Sequence, residues 1–143
     1  MSEVTITRAE WEIMRVIWAH NGLKSRQIID ILQEDLEWKE GTIKTLISRL
    51  VKKGYLHTTQ KGRAFIYHTD VSEESVVQTL ADELFELFCD RNAGKLISYI
   101  VKTQPISRSD IKHIQEILTE KAKTAPEEVT CHCLPGQCRC EKS

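Results

Sequence analysis

The sequence predicts a mainly α-helical protein with one small β-hairpin, followed by further helices and a cysteine-rich tail. Three observations carry that expectation. Apolar residues recur at helical spacing in three segments before Gly54, the period drops to alternation directly after it, and four of the five cysteines fall in the last thirteen residues. A length of 143 residues suits one domain or two half-size modules. With 41% hydrophobic and 29% charged residues, wholesale disorder and collagen-like or low-complexity classes are excluded. No apolar run approaches the roughly 18 residues of a membrane span, and Met1-Ser2-Glu3-Val4-Thr5 lacks the form of a signal peptide. The expectation is a cytoplasmic protein with no membrane partner.

Taken in order, the first helix opens at Thr7, whose spacing to Glu10 is that of a capping box, with Ile6 placed to staple against Trp11. Trp11, Met14, Ile17 and Trp18 form its apolar stripe, and Asn21-Gly22 stops it. Ser25 is the expected cap of a second helix carrying Ile28, Ile31 and Leu32, with Ile29 partly inward, ending near Leu36. A third helix sets Ile43, Leu46, Ile47, Leu50 and Val51 on one face and Thr42, Lys44, Thr45, Ser48, Arg49, Lys52 and Lys53 on the other, and ends at Gly54. Residues 55–59 and 64–69 then read as two strands around the basic turn Gln60-Lys61-Gly62-Arg63. From Ser72 a long helix is expected through Val76, Leu80, Leu84, Leu87 and Phe88 to about Asn92-Ala93-Gly94. A fifth element carries Leu96 to Val101, and a sixth starts at the Ser107 to Asp110 cap and carries Ile111, Ile114, Ile117 and Leu118. After Lys123 no periodicity survives, which predicts a flexible tail unless a ligand orders it.

Formal charge is −1, but its distribution is uneven. Residues 38–69 hold seven Lys/Arg against a single Glu40, whereas residues 71–143 hold nine basic against twelve acidic residues. Three helices plus a hairpin, with the basic residues on the third helix and the hairpin tip, make the winged helix-turn-helix arrangement. In that arrangement the apolar face of the third helix packs inward and its polar face is free to enter a major groove. Lys44 and Arg49 suit guanine acceptors or phosphates; Thr42, Thr45 and Ser48 suit base edges, phosphates or a thymine methyl. Lys61 and Arg63 suit the backbone or minor groove. Trp11 and Trp18 are read as core, and the scattered histidines as packing or surface groups.

The segments Ala9-Glu10-Trp11-Glu12-Ile13-Met14, Lys44-Thr45-Leu46-Ile47-Ser48-Arg49-Leu50, Lys52-Lys53-Gly54-Tyr55-Leu56 and Gly62-Arg63-Ala64-Phe65-Ile66-Tyr67, with Trp18, closely resemble the BlaI/MecI-type penicillinase repressors. The likeness covers residues 6–70 well and the following helices more loosely. It implies a homodimer on a pseudo-palindromic operator DNA, with Thr42, Lys44, Thr45 and Arg49 in the recognition helix and the C-terminal helices as the dimer interface. An intramolecular three-helix cap remains the other reading of that stretch. The expected division is a DNA-binding domain over 1–71, a helical dimerisation region over 72–123 and a metal-binding tail over 124–143.

The tail reads Cys131-His132-Cys133-Leu134-Pro135-Gly136-Gln137-Cys138-Arg139-Cys140. Two C-x-C pairs flank a Pro-Gly turn able to fold the chain back and bring four sulfurs to one point. A reduced compartment favours metal binding over disulfides. Four thiolates suit Zn(II) or Cu(I), although structural zinc sites more often use C-x-x-C. His132 is read as a spacer and Cys89 as a small buried side chain. The penicillinase repressors lack this tail; it is similar to that of copper-responsive repressors of bacterial copper-export operons. That likeness implies that zinc supports operator binding and that Cu(I), delivered by a copper chaperone, displaces it and releases DNA. One Zn(II) or two Cu(I) on four thiolates leave the same net charge, so at those stoichiometries geometry must carry the switch. Two alternatives stand beside this: a repressor responding to another soft metal, and a metal-buffering thiolate protein. A thiol-redox enzyme would need C-x-x-C at a helix start, and no catalytic constellation is present.

Overall fold

A computed structural model describes residues 5–140. Its helices are α1 (Arg8–Ala19), α2 (Ser25–Asp35), α3 (Glu40–Lys52), α4 (Glu73–Glu86), α5 (Ala93–Thr103) and α6 (Arg108–Ala122); its strands are β1 (Leu23–Lys24), β2 (His57–Lys61) and β3 (Ala64–His68). The fold is mainly helical with a small three-stranded antiparallel sheet, and the chain divides into two compact units between Ala81 and Asp82.

In the first unit, the capping box forms as its spacing requires: the Glu10 amide donates to Thr7 Oγ1 at 3.2 Å and the Thr7 amide to Glu10 Oε1 at 2.9 Å. Ile13, Met14, Ile17, Ile28, Ile29, Ile43 and Leu50 are fully buried where the first three helices meet. Trp11 and Trp18 pack against this core edge to face, 5.1 Å between ring centroids, and Trp18 Nε1 donates to the Val71 carbonyl at 2.8 Å. Gly54, at φ +85°, lets the chain leave α3 in the left-handed region that a side chain resists.

Three local expectations are corrected. Lys24, not Ser25, is the cap of α2, and its amide is satisfied by Gln27 Oε1 at 2.9 Å. The buried arc of α2 runs through Ile28, Ile29 and Leu32, with Ile31 exposed, because the helix meets β1 and β3 as well as α1 and α3. On α3, Val51 is likewise exposed while Ile43, Leu46, Ile47 and Leu50 are buried. The strand order β1-β3-β2 includes a pairing the sequence did not announce, Leu23 with Tyr67 and Lys24 with Ile66. Two residues are too short to display a period.

The second unit begins within the expected long helix, which stops at Glu86 instead of reaching residue 92. Cys89 adopts an extended conformation (φ −58°, ψ 132°), and a 3₁₀ turn over Asp90–Asn92 leads into α5. Gly94, read from sequence as a stop, lies in the first turn of α5. No residue of α5 or α6 is buried: Ile97, Tyr99, Ile100, Val101, Ile111, Ile117 and Leu118 are exposed, as are Leu84 and, at 80%, Leu87. Among the described residues no helix is long and apolar enough to cross a membrane.

Candidate nucleic-acid interface and metal centre

The side chains of α3 sort as the alternation of apolar and polar residues demands. Thr42, Lys44, Thr45, Ser48 and Arg49 are all exposed, backed by the buried Ile43, Leu46, Ile47 and Leu50. Lys61 and Arg63 are exposed at the hairpin tip. Two of these groups already have partners. Thr45 Oγ1 donates to the Gly41 carbonyl at 2.9 Å, leaving its methyl and its acceptor capacity to face outward. Lys44 Nζ lies 3.6 Å from Glu40 Oε2, and Glu40 also pairs with Arg26, whose guanidinium holds that carboxyl below the usual carboxylate range. Phe65, 53% exposed on β3, is an aromatic surface group near the basic tip that sequence reasoning did not single out.

Lys53 departs from the basic face. Its ammonium donates to Glu10 Oε1 at 2.6 Å and to the Thr5 carbonyl at 2.7 Å. Glu10 is fully buried, and its Oε2 has no hydrogen-bond partner among the described residues. Burial pushes the Glu10 carboxyl up, but hydrogen bonds from Lys53 and Thr7 outweigh it and hold the group below its ordinary value. Lys53 is therefore a structural cation committed to the core.

The tail makes specific contacts with the turn after α4. The Leu134 to Gln137 turn forms as its Pro-Gly pair predicts, with Gly136 at φ +87°, the Gln137 amide donating to the Leu134 carbonyl at 3.0 Å and Gln137 Oε1 accepting from the Leu134 amide at 2.8 Å. Arg91 Nε donates to the Val129 carbonyl at 2.9 Å and its guanidinium pairs with Glu128 at 3.2 Å, while His132 Nδ1 lies 2.8 Å from Asp90 Oδ2. The turn after α4 thus presents the tail with charged partners.

The Sγ atoms of Cys89, Cys131, Cys133 and Cys138 lie within 4.8 Å of one another. Cys131 is 3.4 Å from Cys138 and 3.6 Å from Cys89, and Cys140 approaches Cys89 at 3.5 Å. These separations are far longer than a disulfide's ~2.05 Å. They are close to the ~3.8 Å edge of a tetrahedron with Zn–S bonds of ~2.3 Å, so the donor set fits a soft metal ion. The Cys133 amide and the Cys138 thiol, donating to Cys131, bring its pKa down to about 6. Beside it Cys133 is pushed strongly up, and Cys140 up to about 12, by hydrogen bonding within the cluster and by burial. Cys89 is buried, 7% exposed, as expected of a small side chain, and it lies among these sulfurs. Spacing gave no sign of it, since Cys89 stands 42 residues from Cys131; an odd fifth cysteine was the one available signal.

The penicillinase repressor family model matches residues 6–120. An uncharacterized 16.5 kDa protein of Latilactobacillus sakei is 44% identical over 137 residues, 96% of this chain and 94% of that one. The penicillinase repressor of Bacillus licheniformis is 28% identical over 115 residues, covering 80% of this chain and 90% of the relative. Among solved structures, the DNA-binding domain of the repressor BlaI shares 36% identity over 51% of this chain and 90% of its own, with a TM-score of 0.46.

Proposed function

This chain belongs to the penicillinase repressor family, transcriptional repressors and not enzymes, and from that premise we propose a copper-responsive repressor of the CopY kind. In this reading a homodimer binds the pseudo-palindromic operator of a copper-homeostasis operon. Residues 1–71 form the DNA-binding domain, 72–123 the dimerisation region and 124–143 the metal-binding tail. Thr42, Lys44, Thr45, Ser48 and Arg49 address the major groove, and Lys61 and Arg63 the adjacent backbone or minor groove. The relative BlaI is described in complex with a half-operator, which supports the same role here. Dimerisation gives the exposed Leu84, Leu87, Ile117 and Leu118 a surface to bury against.

The observation that carries the metal reading is the convergence of cysteine sulfurs at the end of a repressor chain. Thiolates drawn from the tail cysteines Cys131, Cys133, Cys138 and Cys140 hold Zn(II) in the DNA-bound form, and Cu(I), handed over by a copper chaperone, takes these soft ligands and releases the operator. Zinc favours a tetrahedron, while Cu(I) accepts two or three thiolates, so exchange changes the geometry of the site. A gel shift on the chain's own promoter, run with zinc, with Cu(I) and with a chelator, tests this. Retention with zinc and release with Cu(I) are expected; release by neither Cu(I) nor any other soft ion points to metal buffering instead.

A further inference from the structure

Resting on that metal-responsive reading, we propose that Cys89 is itself a metal ligand, completing a four-sulfur site with Cys131, Cys133 and Cys138 and fastening the tail to the turn between α4 and α5. Two independent sets of contacts converge on this assignment. The first is the sulfur geometry: Cys89 belongs to the set of four mutually close sulfurs, 3.6 Å from Cys131. The second is the docking of the tail. Asp90 and Arg91, directly after Cys89, hold His132, Glu128 and Val129, which flank Cys131. Neighbours on both strands thus place the two thiols together, and a cysteine serving only as filler would need none of these partners.

The consequence differs from that of a site confined to the tail. Cys131 to Cys140 closed on a metal would form a small local loop with no hold on the rest of the unit. A metal shared with Cys89 closes a loop enclosing all of α5 and α6, so metal binding restrains the region assigned to dimerisation. Cys140, 3.5 Å from Cys89, stands as the neighbouring fifth thiol. It is an additional soft donor within reach when a metal of different coordination number replaces the first.

The test uses the full reduced chain with Co(II) alone as a spectroscopic probe of thiolate number. Cys140→Ser should retain the wild-type sulfur-to-cobalt charge-transfer intensity, because Cys89 supplies the fourth thiolate. Cys89→Ser combined with Cys140→Ser should lose about a quarter of it, one thiolate in four. If Cys140→Ser alone already loses that quarter, the ion sits on the tail cysteines only and the proposal fails while the metal reading survives. If Cys131→Ser with Cys133→Ser leaves the intensity untouched, the metal reading itself fails. In addition, zinc should slow amide exchange over residues 87–92 in the wild type and not in Cys89→Ser; equal slowing in both overturns the assignment. Cobalt spectra of Cys140→Ser decide the matter even if Cys89→Ser folds poorly.

Discussion

Replacing Lys53 by Ala should destabilise the first unit by about 3–5 kcal/mol at pH 7, a large effect for a residue at the surface end of a helix. The magnitude follows from Glu10. Its carboxylate is fully buried, one oxygen accepts from Lys53 and the Thr7 amide, and the other has no partner among the described residues. Removing the ammonium leaves a buried charge with one backbone donor. An exposed pair would be worth no more than about 1 kcal/mol, so burial decides the scale. Urea unfolding followed by tryptophan fluorescence is the assay, since Trp11, Trp18 and Trp38 all lie in the first unit. The pH dependence supplies a second check. Because the folded Glu10 pKa is depressed, its contribution is complete above the unfolded value of about 4.3 and is lost as pH falls through the folded value. In Lys53→Ala the advantage of the charged form is gone, so the gap to wild type should narrow in acid. Replacing both Glu10 and Lys53 by Leu should restore most of the stability. A loss under about 1 kcal/mol at pH 7, or a gap unchanged between pH 7 and pH 3, refutes the reasoning.

If Lys44, Arg49, Lys61 and Arg63 of both subunits contact phosphates, about eight contacts form and log K should fall against log salt with a slope of roughly −5 to −7; a slope shallower than about −2 rules out this docking. Within that interface Thr45→Ala should relax operator preference, whereas Lys61→Ala should weaken all sequences alike, as competition titrations would reveal. Leu84→Asp should convert the dimer to monomer in sedimentation at low micromolar concentration, since an unpaired charge in the interface costs several kcal/mol. A variant still dimeric would place the interface elsewhere. Cys131→Ser with Cys133→Ser should abolish Cu(I)-induced release from the operator and leave the melting of the first unit unchanged; release by one or two equivalents of Cu(I) would remove the tail as sensor.

What was legible in the sequence was whatever short-range periodicity encodes. The cap at Thr7, the burial of Ile43, Leu46, Ile47 and Leu50, the wing and the Pro135-Gly136 turn each depend on residues a few positions apart. What escaped depends on distant partners. Lys53 looks like one more cation on a basic helix until Glu10, 43 residues earlier, takes it. Ile29 and Ile31 differ in burial because of where β1 and β3 lie, which helical spacing alone does not encode. Cys89 reads as an isolated small side chain until a turn of acidic and basic residues brings the tail to it.

The Glu40 carboxylate at the head of α3 has a consequence for how the protein searches DNA. It pairs with Arg26 and Lys44, so a phosphate drawn to either cation would have to compete with it. Any duplex, right or wrong, must displace an internal anion before it gains those two cations, whereas only the operator adds base contacts in return. The cost falls equally on all sequences, so residence on random DNA is shortened without changing the preference that the base contacts confer. Glu40→Gln should accordingly bind operator and bulk DNA more tightly by the same factor, leaving the ratio between them unchanged while lengthening residence on random sites.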